Sequence, residues 1–270
     1  LQISENYKHI CMYNNFQQNN RSKKELTIHM KINKLLINTF LYLCLLVFFS
    51  ACSTKKKTWF SRQYHNTTAK YNGYFNGNES IKYGIKKIND SFEDDYSEVL
   101  PVFRTGDLKK SKSTLPYMDK AIQKGSIVIQ KHSIKIRGKE YCRWIDDNYL
   151  MVGKAYFYKG DFDEAAKTFS FIIEEYKKTP IIYEASLWLS RCFIEKKDFV
   201  SAESILIDLS NNRKFPEKLE KDFEIINADF YVRQKNYSLA KESLLNCINN
   251  YKLKKDKARL NYILAQIFQI

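Results

Sequence analysis

From Asp146 onward, apolar side chains recur three and four residues apart in runs broken by short polar strings. That period gathers the apolar positions onto one face of an α-helix. The strings Lys159-Gly160-Asp161, Lys196-Lys197-Asp198 and Gln234-Lys235-Asn236 interrupt the runs and predict turns. The runs also share a pattern. In each unit a small residue (Gly153, Ser190, Ala228) lies three before an aromatic (Tyr156, Phe193, Tyr231), and an alanine (Ala165, Ala202, Ala240) follows nine further on. Small residues let two helices approach closely, and aromatics fill the groove between them. Phe162, Phe199 and Tyr237 each stand just after a predicted turn, where they open the second helix of a hairpin.

The unit resembles the tetratricopeptide repeat, a helix-turn-helix module of about 34 residues. Units are expected at about 146–181, 182–219 and 220–254, with the start of a fourth at 257–270, where Leu264, Ala265 and Phe268 take the expected places. The fourth unit's second helix is expected beyond Ile270, so the array reads as part of a longer one, truncated at its C-terminal end. The aligned alanines are more widely spaced than the usual period, which is expected to lengthen the second helix or the loop between units. Ile172 and Leu209 stand late in the second helices, where the repeat usually has a small residue. The resulting fold class is all-α: a tetratricopeptide-like helical-hairpin solenoid preceded by a helical region over 64–145. In that region Ala69, Tyr71 and Tyr74 precede Asn76-Gly77, and Ile81, Ile85 and Ile88 follow at helical spacing. Two readings stay open here, a degenerate earlier unit or a helical hairpin of other origin, both turning at Asn76-Gly77.

The first third of the chain reads differently. Residues 1–29 are polar, irregular and begin with Leu1; they are expected to be disordered sequence upstream of the true start, Met30. Lys31 and Lys34 then precede an apolar run from Leu35 to Phe49. As a helix it would span about 22 Å, short of a bilayer core of about 30 Å. A positive start, a short apolar stretch and the small residues Ser50 and Ala51 are the parts of a signal peptide, here 30–51. Phe49-Ser50-Ala51-Cys52 resembles a lipobox, with Phe49 in place of the usual Leu, which makes Cys52 the expected lipidation site. Residues 52–63 would form the tether. Ser53 follows Cys52, without an Asp or an acidic cluster, which points to the periplasmic face of the outer membrane.

Further strings follow the lipobox: Ser61-Arg62-Gln63-Tyr64-His65-Asn66-Thr67-Thr68-Ala69-Lys70-Tyr71-Asn72-Gly73-Tyr74-Phe75-Asn76-Gly77, then Leu100-Pro101-Val102-Phe103, then Glu140-Tyr141-Cys142-Arg143-Trp144-Ile145-Asp146-Asp147. With the repeats, these make the chain from Cys52 onward similar to the SprE/PorW family of periplasmic repeat lipoproteins. Members of that family are much longer. The resemblance implies a non-enzymatic part of the type IX secretion and gliding machinery, bound to other proteins of that machine and to the membrane through its lipid. It carries over no catalytic residues and no cofactor.

Composition narrows the chemistry. Eight glycines and four prolines in 270 residues disfavour a fold of many short strands. The net charge of +15 is uneven, since residues 104–143 hold eleven basic and three acidic side chains. An anionic protein, lipid headgroup or cell-wall polymer suits that segment; an exported protein rarely meets nucleic acid, and none is expected as a partner. Cys142, Cys192 and Cys247 lack Cys-x-x-Cys spacing and are expected as buried thiols. His65 and His132 stand far apart in sequence, so no metal or triad site is expected on them. The acidic strings Glu93-Asp94-Asp95, Asp146-Asp147 and Glu174-Glu175 read as solvated faces. Counted from the repeat alanines, the groove-facing slots of the first helices are Lys154, Phe157 and Tyr158, then Arg191 and Glu195, then Asp229 and Arg233. Lys154, Phe157, Tyr158, Arg191 and Arg233 are the candidate partner-binding residues. A glycan- or wall-binding lipoprotein is the alternative. It would need exposed aromatic planes, and Trp59, Trp144 and Trp188 are expected mostly on core faces.

Overall fold

The computed structural model describes residues 34–40, 58–105, 111–250 and 254–270. The chain divides into two units, Leu1–Ser53 and Thr54–Ile270. In the first, residues 34–40 are helical with Leu35, Leu36, Ile37 and Phe40 exposed, and the Thr39 hydroxyl donates back to the Leu35 carbonyl at 2.9 Å. Among the described residues no helix is long and apolar enough to cross a membrane. Residues 1–29, the signal cleavage site and Cys52 lie outside the described residues.

The second unit opens with α1 (Trp59–Thr68), capped by Thr58, whose hydroxyl accepts from the Ser61 amide at 3.4 Å. A π-helical segment, Ala69–Phe75, runs straight on into α2 (Asn76–Ser91). Asn76-Gly77 is therefore not the turn its residue types suggest. The buried positions explain why: Ser61, His65, Ala69, Gly73 and Gly77 follow in steps of four. On an α-helix of 3.6 residues per turn each such step drifts by about 40°. The wider π turn holds more residues and cancels the drift, so one stripe stays inward. Gly77 meets Met151, where a Cβ would collide with the Met151 side chain. It serves close packing, not chain reversal.

After the connection comes α3 (Leu115–His132), with Pro116 in its first turn, then the two-stranded antiparallel ribbon β1 (Lys135–Ile136) and β2 (Lys139–Glu140). The pairs are Lys135 with Glu140 and Ile136 with Lys139, around Arg137 (φ 51°) and Gly138 (φ 76°). Two consecutive positive φ values make the tight turn that fits strand twist. Glu140 then spends its carboxylate on the backbone N–H groups of Ile134 (2.8 Å), Tyr141 (2.9 Å) and Cys142 (2.8 Å).

The rest is the expected tetratricopeptide-like solenoid. Hairpins α4/α5 (Ile145–Lys159, Phe162–Glu175), α6/α7 (Ile181–Glu195, Phe199–Ser210) and α8/α9 (Glu220–Arg233, Tyr237–Asn250) precede α10 (Lys254–Phe268). The three tight turns have one construction. Gly160, Lys197 and Lys235 adopt left-handed φ of 86°, 61° and 60°. The next amide donates six residues' span back, from Asp161 to Tyr156 (3.0 Å), Asp198 to Phe193 (2.9 Å) and Asn236 to Tyr231 (3.0 Å). That is the Schellman closure of a first helix. Asp161 and Asp198 then cap the second helices through the amides of Glu164 and Ser201. The repeat alanines Ala165, Ala202 and Ala240 are fully buried at the crossings. Cys142, Cys192 and Cys247 are free and buried; burial pushes their thiols up to about 11, 12 and 12.

Candidate functional site

The first helices α6, α8 and α10 line one face of the array, where a repeat solenoid ordinarily offers a binding groove. In this chain the face is occupied by the chain's own segment 94–105. Leu100 and Val102 are buried there, packed with Ala228 and Val232 of α8 and Leu260, Ile263, Leu264 and Ile267 of α10. Phe103 lies against the Arg191 guanidinium, 4.1 Å from ring centre to charge.

Polar groups hold the segment by its backbone. The Leu100 amide donates to Gln266 Oε1 at 3.0 Å, and the Gln266 side chain donates to the Glu98 carbonyl at 2.8 Å. The Val102 amide donates to Asp229 Oδ1 at 3.2 Å. The Arg259 guanidinium donates twice to Asp94, both at 2.8 Å, and twice to the Pro101 carbonyl, at 3.2 and 2.9 Å. Hydrogen bonding from Arg259 and Arg104 holds the Asp94 carboxyl below the usual range, against its burial. These contacts join residues more than a hundred positions apart. A segment held by side chains through its backbone groups is one of the ways proteins recognise peptides.

Of the sequence-derived candidates Arg191 and Arg233 touch this strap, through Phe103 and Thr105, and each of the five is engaged within the chain. Lys154 Nζ lies 2.7 Å from Glu184 Oε1 and 5.2 Å from the Trp188 ring centre. Phe157 is buried, edge-on to Tyr158, Phe162 and Trp188, so it is part of the core of the first hairpin and not of an open groove. Tyr158 is half-buried against Trp188. The buried Arg191 is held among Phe103, Phe157 and Trp188, with its charge over ring faces. Arg233 donates to Asp229 (3.0 Å), to both oxygens of Glu195 (3.1 and 2.8 Å) and to the Thr105 hydroxyl (3.2 Å). Burial raises the Glu195 carboxyl, and Arg233 works against that shift. Asp94, Arg259 and Gln266 belong to the same arrangement but lie outside the repeat consensus, so counting repeat positions does not find them. Beside the strap a hollow of about 510 Å³ stays open, lined by Val99, Pro101, Phe199, Val232 and Tyr237 among others.

Two further placements bear on chemistry. His65 and His132, 67 positions apart, meet with Nδ1 atoms 2.8 Å from each other. Burial lowers both imidazoles below their ordinary value; His65 and Lys131 add to the shift at His132, while Glu140 opposes it at His65. Among the described residues no three His, Cys, Asp or Glu side chains are grouped to hold a metal ion. Asp146 and Asp147 are not the solvated pair expected: burial raises both, Asp147 to about 6, with Asp146 and Glu184 adding repulsion. Trp59 also departs from expectation, since it is 59% exposed.

No curated protein matches the chain. Comparison with protein families matches residues 147–179 to the tetratricopeptide repeat. The match falls on the α4/α5 hairpin, and the same turn construction recurs in the next two, so the chain contains a tetratricopeptide repeat within a tetratricopeptide-like solenoid.

Proposed function

We propose that the protein is a non-enzymatic outer-membrane lipoprotein that scaffolds a bacterial secretion machine of the type IX kind. Tetratricopeptide arrays typically bind other proteins, and the face that holds the chain's own segment 94–105 is the observation that carries this reading. The face formed by α6, α8 and α10 already holds the segment 94–105 through the Leu100 and Val102 amides and apolar pockets. A surface that accepts one chain segment in this way has the chemistry to accept another, and the hollow beside Pro101 offers the entry point. The lipobox-like string before Cys52 and the resemblance to the SprE/PorW family support attachment at the periplasmic face of the outer membrane. An anchor with more than one acyl chain would hold it there stably.

Two experiments test the reading. Deletion of the gene is expected to abolish export of type IX cargo; normal export in that strain removes the secretion role. Cys52→Ala is expected to lose labelled fatty acid and outer-membrane fractionation while the array stays folded. Equal labelling of both forms removes the lipid assignment and the localisation with it.

A further inference from the structure

A second surface lies away from the strap, on the outward side of α1. Its residues repeat in steps of four: Trp59, Gln63, Thr67, Tyr71 and Phe75 form one stripe, and Arg62, Asn66 and Lys70 the adjoining one. Between these and the loop after β2 is a cleft of about 360 Å³ whose walls include Arg62, Lys70, Tyr71, Arg143 and Trp144. Its lining holds three cations and no carboxylate. The backbone builds it firmly, because the Asn66 side-chain oxygen accepts from the Arg143 amide at 2.7 Å. Lys70 Nζ sits 5.2 and 5.3 Å from the ring centres of Tyr71 and Trp144. Arg62 Nε is buried without a hydrogen-bond partner. The nearby Glu140 accepts from backbone amides and is not part of the cleft lining.

The rim is apolar. Trp59 and Phe60 pack edge-to-face at 4.9 Å, yet are 59% and 77% exposed, and Tyr64, Tyr71 and Phe75 are exposed on the same helical stretch. A phenylalanine so exposed gains nothing from water or from a polar ligand; it fits an acyl boundary. Aromatic rings beside lysine and arginine are the composition of a membrane-water interface. We propose that this face of α1 seats on an anionic membrane surface, with the cleft taking the phosphate of a phospholipid headgroup on Arg62, Lys70 and Arg143 while Trp59, Phe60 and Phe75 enter the acyl boundary. The seat stands on residues 59–144 alone and does not require acylation of Cys52. Trp59 stands seven positions after Cys52, a contour of at most about 25 Å, so an anchored chain would reach it.

The test uses the full chain carrying Cys52→Ala, so that every variant shares one leader and none is acylated. Partition is measured onto phosphatidylcholine vesicles with and without phosphatidylglycerol. The parent is expected to prefer the anionic vesicles. Arg143→Gln, an exposed change that leaves the fold intact by circular dichroism, is expected to lower that preference about fivefold, and combined loss of Arg62, Lys70 and Arg143 roughly a hundredfold. Trp59→Ser is expected to weaken binding to both vesicles. Equal preference in the parent and Arg143→Gln overturns the proposal. Binding of soluble glycerol phosphate by a parent that shows no preference for anionic vesicles also overturns it, and would make the cleft a site for a free phosphate ester.

Discussion

Arg259→Ala separates the strap from the array it lies on. The guanidinium is 15% exposed and its partner Asp94 8% exposed, and the substitution removes four hydrogen bonds, two to Asp94 and two to the Pro101 carbonyl. Removing one partner of a buried pair costs about 3–5 kcal/mol, because the other charge stays buried. Arg104 still reaches Asp94 at 3.2 Å, and at 33% exposed it gives only partial compensation, so the lower end, about 3 kcal/mol, applies. At about 1.4 kcal/mol per tenfold, the strap should open roughly a hundred times more often. Amide hydrogen exchange reads this directly, since Leu100 and Val102 donate to Gln266 and Asp229 across the interface. Their protection should fall by about that factor, while amides in α4 and α5 keep theirs. Joint replacement, Asp94→Asn with Arg259→Met, should cost less than Arg259→Ala alone, because no charge is left stranded. Unprotected Leu100 and Val102 amides in the unaltered protein would refute the strap. An equal loss of protection in all helices would refute its independence from the array.

The turns, the helix crossing and the histidine pair give three more expectations. Lys197→Gly and Lys235→Gly, both at left-handed φ, should each stabilise by about 1 kcal/mol in urea unfolding, while Gly160→Lys destabilises; no gain from either glycine would refute the strain. Gly153→Ala places a Cβ 2.6 Å from the buried Phe169 ring, which is stacked beside Trp188, and should cost about 1–3 kcal/mol in the same assay. His65 and His132 have lowered values in the folded state, so the unfolded chain binds more protons as pH falls; stability is present above about 6.5 and lost below it. His132→Asn should flatten that part of a melting-temperature profile, and an unchanged slope in the variant would show that another group carries it.

The repeat array was legible in the sequence because its determinants are local. Gly160, Lys197 and Lys235 close helices within six residues, and Ala165, Ala202 and Ala240 mark crossings between adjacent helices. Composition and the period of apolar positions suffice for such contacts. The Asn76-Gly77 turn failed for a reason that spacing cannot express: Gly77 faces Met151, and only packing against a helix far along the chain decides whether a glycine bends or approaches. The positions counted as groove-facing lie on first helices, and their surroundings are decided elsewhere. Arg191 and Arg233 are occupied by Phe103 and Thr105, which arrive from before α3. His65 meets His132 only because α1 packs on α3. Sequence determines which faces each helix offers; which segment covers a face depends on long-range closure, where the strap's buried Leu100 and Val102 and the Asp94–Arg259 pair offset the entropy of joining distant parts of the chain.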